Sequence, residues 1–197
     1  MARNKEPWRR ERILDAALEV LATGRSEQLR IADVAAAAGV SPASVHYHFG
    51  DLSSLILAAM GRASDEMHRS RRDAIESLED PAEKLRALIA LGVPDVASPA
   101  LIIMYTATGL MRVDEVAIHG GRDHVENQVA LYQSVIEAGV ERGLFELSAA
   151  ARSIAVNLVA LEDAFDLYLV LGIEPDGERG RAQLHSYAAS ALSFALS

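Results

Sequence analysis

The sequence predicts an all-α protein of about nine helices, and three observations predict it. Apolar residues recur at helical spacing, as where Leu14, Leu18 and Leu21 repeat at four and three with Ile13 and Ala17 beside them. Helix starts are marked by cap pairs, Ser41-Pro42, Asp80-Pro81 and Ser98-Pro99, in which a side-chain acceptor precedes a proline at the first helical position. Strand signals are missing: no alternating β-branched runs occur, and no Asn-Gly or Asp-Gly turn separates two apolar runs.

The elements follow in order. A first helix over about 8–23 ends near Gly24. A short second helix, about Ile31 to Ala38, is broken by Gly39. A third opens at the Ser41-Pro42 cap and ends near Gly50, and Asp51 caps a long fourth helix running from Leu52 into the 70s. Beyond it, Pro81, Pro94, Pro99, Gly120-Gly121, Gly143, Gly172 and Pro175 divide the chain into helices near 82–92, 99–111, 122–142, 148–171 and 177–195. Gly172 is a candidate left-handed stop, and Gly120-Gly121 reads as a loop carrying His119 and His124.

Bulk composition narrows the function classes. Half of the 197 residues are hydrophobic, enough to bury a core. With no cysteine, disulfides, thiolate metal sites and cysteine nucleophiles are excluded. The polar N-terminus and the absence of a long apolar run point to a soluble cytoplasmic protein. The net charge of −9 argues by itself against nucleic acid, but its distribution does not. Residues 1–50 hold seven Lys/Arg against six Asp/Glu, whereas residues 51–197 hold twelve against twenty-two. Arg3, Lys5, Arg9, Arg10 and Arg12 crowd the start, so the one segment that is not acidic is the N-terminal one.

The window Ile31 to Phe49, IADVAAAAGVSPASVHYHF, has the form of a helix-turn-helix. Ala35 is small where two helices must cross closely, and Gly39 supplies the left-handed residue of the turn. Val34, Val40 and Val45 are spaced to bury one apolar face. Ser41 sits at a helix N-terminus, where backbone N–H groups favour a phosphate. The helix that follows is short enough to enter a major groove with its early residues toward base edges. A metal cluster of His46, His48 and Asp51 is disfavoured, because an i, i+2 pair on a helix points its rings apart.

These residues resemble the TetR-like family of bacterial one-component transcriptional regulators. The resemblance rests on Val34-Ala35, Ala38-Gly39-Val40-Ser41, Val45-His46-Tyr47-His48-Phe49 and Leu55, together with the opening Arg12-Ile13-Leu14-Asp15-Ala16-Ala17. It covers about residues 8–60. It implies a three-helix DNA-binding domain over 1–52 and a larger helical ligand-binding and dimerisation domain over 53–197. It implies backbone phosphate contacts from Ser41, Tyr47 and His48, and a groove face of Pro42, Ala43, Ser44 and His46. Three positions depart from the pattern. Leu52 replaces a basic anchor, Arg30 stands where a capping Thr is usual, and Ala32 replaces a commonly basic residue. Arg30 is the candidate that restores a phosphate contact.

The resemblance also implies a homodimer formed by the last two helices, about 148–171 and 177–195. Leu158, Leu161, Phe165, Tyr168 and Leu169, with Leu184, Tyr187, Ala188, Ala191, Leu192 and Phe194, offer the apolar faces. It implies an effector cavity too, for which Met104, Tyr105, Met111, Gln128 and Tyr132 are candidates, joined by Glu162 and Asp166. The acidic trio Glu162, Asp163 and Asp166 in an apolar helix is unusual, since carboxylates are rarely buried alone. It suits a cationic ligand, a pairing across the dimer, or a solvated face.

Enzyme signatures are lacking: there is no phosphate loop with Lys, no G-x-S-x-G and no H-E-x-x-H. No metal or cofactor is expected. The reading is a ligand-released homodimeric repressor of a palindromic operator. The alternative is an all-helical small-molecule binding or scaffold protein with weakened DNA affinity, motivated by Leu52 and the acidic body.

Overall fold

Four local signals produce the helices where the sequence places them. Residues 7–24, 29–108 and 115–193 are described in the computed structural model, with the backbone alone at 108 and 115–119. Met111 and Phe194 lie outside the described residues. Nine helices occur among those described: α1 (Pro7–Leu21), α2 (Ile31–Ala38), α3 (Pro42–Phe49), α4 (Leu52–Glu76), α5 (Pro81–Gly92), α6 (Pro99–Thr108), α7 (Glu115–Glu141), α8 (Ala151–Val170) and α9 (Glu178–Ala191). The Ser41 hydroxyl accepts the Ser44 backbone N–H at 3.2 Å and starts α3. Asp51 does the same for Ser54 at 2.7 Å and starts α4. Asp80 accepts from Ala82 at 3.1 Å ahead of Pro81 and starts α5. Gly172 (φ 69°) stops α8: its N–H and that of Ile173 bond back to Leu169 and Tyr168 at 3.1 and 2.8 Å.

The chain divides into two compact units. One comprises the residues up to 66 together with 99–120, the other 67–98 with 121 onward. The core of the first gathers Ile13, Ala17 and Leu21 of α1, Val34 and Ala35 of α2 and Val45 of α3. Leu55, Ile56 and Ala59 of α4, with Ile103 and Ala107 of α6, complete it. The packing unit therefore reaches past residue 52, because the first turns of α4 carry part of its apolar face. The core of the second is built on Leu85, Leu88 and Ile89 of α5, Tyr132 and Ile136 of α7, Ile154 and Leu158 of α8, and Leu184 and Ala188 of α9.

Two expectations are corrected. Gly120-Gly121 is not a loop; α7 continues through it, so His119 and His124 lie on a helix. A helical glycine costs roughly 1 kcal/mol relative to alanine, which the buried stripe Val129, Tyr132, Val135 and Ile136 of the same helix offsets. The faces offered for dimerisation are also partly internal: Leu158, Leu184, Ala188, Ala191 and Leu192 are buried in the second unit's own core. Helices this apolar have two usable faces, and the inward one is taken by the monomer. Val156, Leu167 and Tyr168 remain as exposed apolar residues on α8.

Candidate functional site

The first constellation is on α3. Gly39 makes its turn possible, at φ 64° and ψ 38°, a conformation that costs other residues roughly 1 kcal/mol or more. A side chain there would also meet the Arg12 guanidinium, 2.8 Å from an added Cβ. Val45 is wholly buried and anchors α3 to its unit. That anchoring leaves Ser41, Pro42, Ala43, His46 and Tyr47 exposed, with Ser44 and His48 half-buried. Tyr47 is 48% exposed although it is a large aromatic residue. Its ring meets that of His48 edge-on at 5.2 Å. Both lie in the last turn of α3, and an exposed phenol hydroxyl with an adjoining imidazole is suited to phosphate contact rather than to packing.

His46 is held more specifically. Its Nδ1 lies 2.7 Å from the Gly50 carbonyl oxygen. A carbonyl only accepts, so Nδ1 carries the hydrogen, and in that neutral tautomer Nε2 is the acceptor. Such an acceptor matches the exocyclic amino group of cytosine or adenine in a major groove. Arg30 is exposed at the N-cap of α2, and its backbone N–H donates to Asp33 at 2.8 Å. The side chain does not cap the helix. On α1, Arg10 stacks over Phe49 at 5.0 Å and Arg9 over Trp8 at 5.1 Å. Leu52 is half-buried against the first core, where it adds packing and no charge.

The second constellation is inside the second unit. Arg71 of α4 is 4% exposed and Glu162 of α8 is 1% exposed. They form a two-pronged pair: Nη1 donates to Oε1 at 2.6 Å and Nη2 to Oε2 at 2.8 Å. Nη1 also donates to the Gln128 Oε1 at 3.1 Å, and Nη2 to the Leu88 carbonyl and the Tyr132 hydroxyl at 3.3 Å. Tyr132 donates its own hydroxyl to Glu162 at 2.9 Å, and Gln128 meets His124 at 2.6 Å. Gly92 admits the carboxylate: an added Cβ would stand 2.2 Å from Glu162 Oε2.

One turn on from Glu162, Asp166 is 3% exposed, and its Oδ1 has no hydrogen-bond partner among the described residues. Burial, and then the neighbouring Glu162 and Asp163 charges, push its carboxyl up to about 9 against the pull of Arg71. Burial also raises the Tyr132 hydroxyl and, with Arg71, lowers His124. Burial opposes the Arg71 charge, but Glu162 and Tyr132 outweigh it and raise its pKa.

Of the effector candidates, Gln128, Tyr132 and Glu162 are thus in one bonded network, and Asp166 is coupled to it through Glu162 and Arg71. Met104 packs against the first unit's core, and Tyr105 is half-buried. Arg71 was not legible as a site residue. Its signal is an arginine in the apolar register Ala63, Met67, Arg71, Ile75 of α4, while Arg69 and Arg72 are exposed.

The family of bacterial regulatory proteins named for tetR matches residues 13–59, which hold the whole helix-turn-helix. This chain is a TetR-like, DNA-binding transcriptional regulator. It is 28% identical over 191 residues to the HTH-type transcriptional regulator BetI of Brucella canis, spanning 95% of this chain and 93% of that one. The TetR-like fold extends beyond the DNA-binding module. A transcriptional regulator from Saccharomonospora viridis in complex with choline superposes with a TM-score of 0.80 at 22% identity, over 93% of this chain and 96% of the other. FadR from Bacillus subtilis, in complex with stearoyl-CoA, gives 0.70 at 15% identity over 93% and 97%.

Proposed function

We propose that the protein is a ligand-released homodimeric repressor of a palindromic operator. The carrying observation is the side-chain distribution on α3: Val45 is wholly buried, while Ser41, Pro42, Ala43, His46 and Tyr47 are exposed. In this reading Ser41, Tyr47, His48 and Arg30 hold phosphates. Pro42, Ala43, Ser44 and His46 face the bases. A two-fold dimer makes two such short helices address two half-sites. Its support on this chain is the outward apolar row Val156, Leu167 and Tyr168. The site of action is the cytoplasm, where the DNA is.

The effector acts in the second unit, on the network of Gln128, Tyr132, Glu162 and Asp166 with Arg71. Choline and stearoyl-CoA in two proteins of this fold indicate that the fold alone does not choose the ligand. Release requires that the effector bind one state better than the other. Support for the coupling route is the continuity of α4, one helix that carries both Leu55 and Arg71. A titration of DNA flanking the protein's own gene, at low and moderate salt, tests the reading. Selective binding by a dimer upholds it. Weak binding indifferent to sequence replaces it with a small-molecule binding protein, the reading that Leu52 favours.

A further inference from the structure

We infer that Asp166 is the recognition group for an effector carrying an ammonium with N–H donors, a protonated primary or secondary amine, and not a quaternary ammonium. The inference deepens the proposed effector site and rests on it. Both oxygens of Glu162 are taken, by the two terminal nitrogens of Arg71, and Oε2 also receives the Tyr132 hydroxyl. Asp166 Oδ1 is the carboxylate oxygen of this cluster that has no partner among the described residues, on a side chain 3% exposed. A buried acceptor of this kind gains most from a group that donates a hydrogen bond as well as charge.

A quaternary ammonium has no N–H and relies on open aromatic faces. The buried aromatic of this cluster is Tyr132, and the Arg71 guanidinium already lies over its ring at 5.4 Å. The chain's own cation therefore occupies the place that an aromatic cage would offer. Charge points the same way. Arg71 balances Glu162, so an ionised Asp166 leaves room for one further positive charge. The charged groups that act on Asp166 are Glu162 and Asp163 on α8 and Arg71 on α4. Burial among them keeps a proton on the carboxyl up to about pH 9, and an arriving ammonium takes that proton's place.

The experiment uses three probes on one skeleton: ethanolamine, N,N-dimethylethanolamine and choline, whose protonated nitrogens carry three, one and no N–H. Binding to the whole protein is measured by calorimetry in two buffers of different ionisation enthalpy. Affinity is expected to fall along that series. About one proton should be released per ethanolamine bound at neutral pH. Asp166→Asn should weaken ethanolamine by about tenfold or more and abolish the proton release. Glu162→Gln, which unbalances Arg71, serves as a folding-sensitive control, compared with the wild type by denaturant unfolding. Choline binding as well as ethanolamine, no amine binding at millimolar concentration, or an Asp166→Asn variant that binds unchanged would each overturn the inference. Titrating operator DNA alongside separates the two readings. DNA bound without any amine binding removes only the amine; an absence of DNA binding removes the repressor.

Discussion

The polar groups of α3 and those around Arg71 obey opposite rules. On α3 they are mostly exposed, and each is positioned by its own short stretch of chain. Around Arg71 they are buried, they come from four helices, and Arg71 and Glu162 compensate each other. The first arrangement can be altered freely for recognition. The second is a stability element wherever it is touched, so an effector acting there acts on folding energetics as well as on shape.

The sharpest way to break the comparison is to remove one partner from each. Arg71→Met leaves Glu162 buried without a counter-charge and should cost about 3–5 kcal/mol in denaturant unfolding. Arg71→Met combined with Glu162→Met should recover most of that loss, since an apolar pair of similar volume avoids the desolvation penalty. By contrast, Tyr47→Ala with His48→Ala should abolish DNA binding in a gel shift while leaving the folded dimer intact.

Next in size is a pH effect confined to the buried cluster. Asp166 has a folded pKa near 9, above its ordinary value of 3.8, so the folded state holds the proton longer than the unfolded chain does. Its contribution is therefore complete below about pH 4 and is lost progressively as pH rises toward 9. Thermal unfolding should show the wild type losing stability between pH 6 and 9 more steeply than Asp166→Asn. Equal slopes would mean that the carboxyl is solvated. Smaller again is His46→Ala, which should relax base preference at one position of each half-site by about 1–3 kcal/mol and leave the salt dependence unchanged. Leu52→Lys should do the reverse, steepening the salt slope by about one for each protomer without changing preference.

The difference between the regions also explains what the sequence could show. The α3 site is written locally: Ser41 caps it, Pro42 opens it, Gly39 turns into it, and all lie within a few residues of the groups they position. Its helix boundaries and its exposed face could be read directly. The buried cluster is written across the chain. Arg71 and Glu162 are 91 residues apart, and nothing near either names the other. The acidic residues of α8 were visible as an anomaly, but their partner looked like one arginine among several on an amphipathic helix. Glu162 is met by an arginine of the same chain. Similarly, the glycine pair in α7 looked like punctuation, because the packing that carries the helix through it comes from distant residues.

The central claim, that α3 grips a specific DNA sequence, is tested most directly by an anisotropy titration. The DNA flanking the protein's own gene is compared with a scrambled duplex of the same composition across a series of salt concentrations. The account predicts tight, selective binding whose affinity falls steeply with salt and disappears in the Tyr47→Ala, His48→Ala variant. Binding that is weak, equal for both duplexes and unchanged in that variant would contradict it.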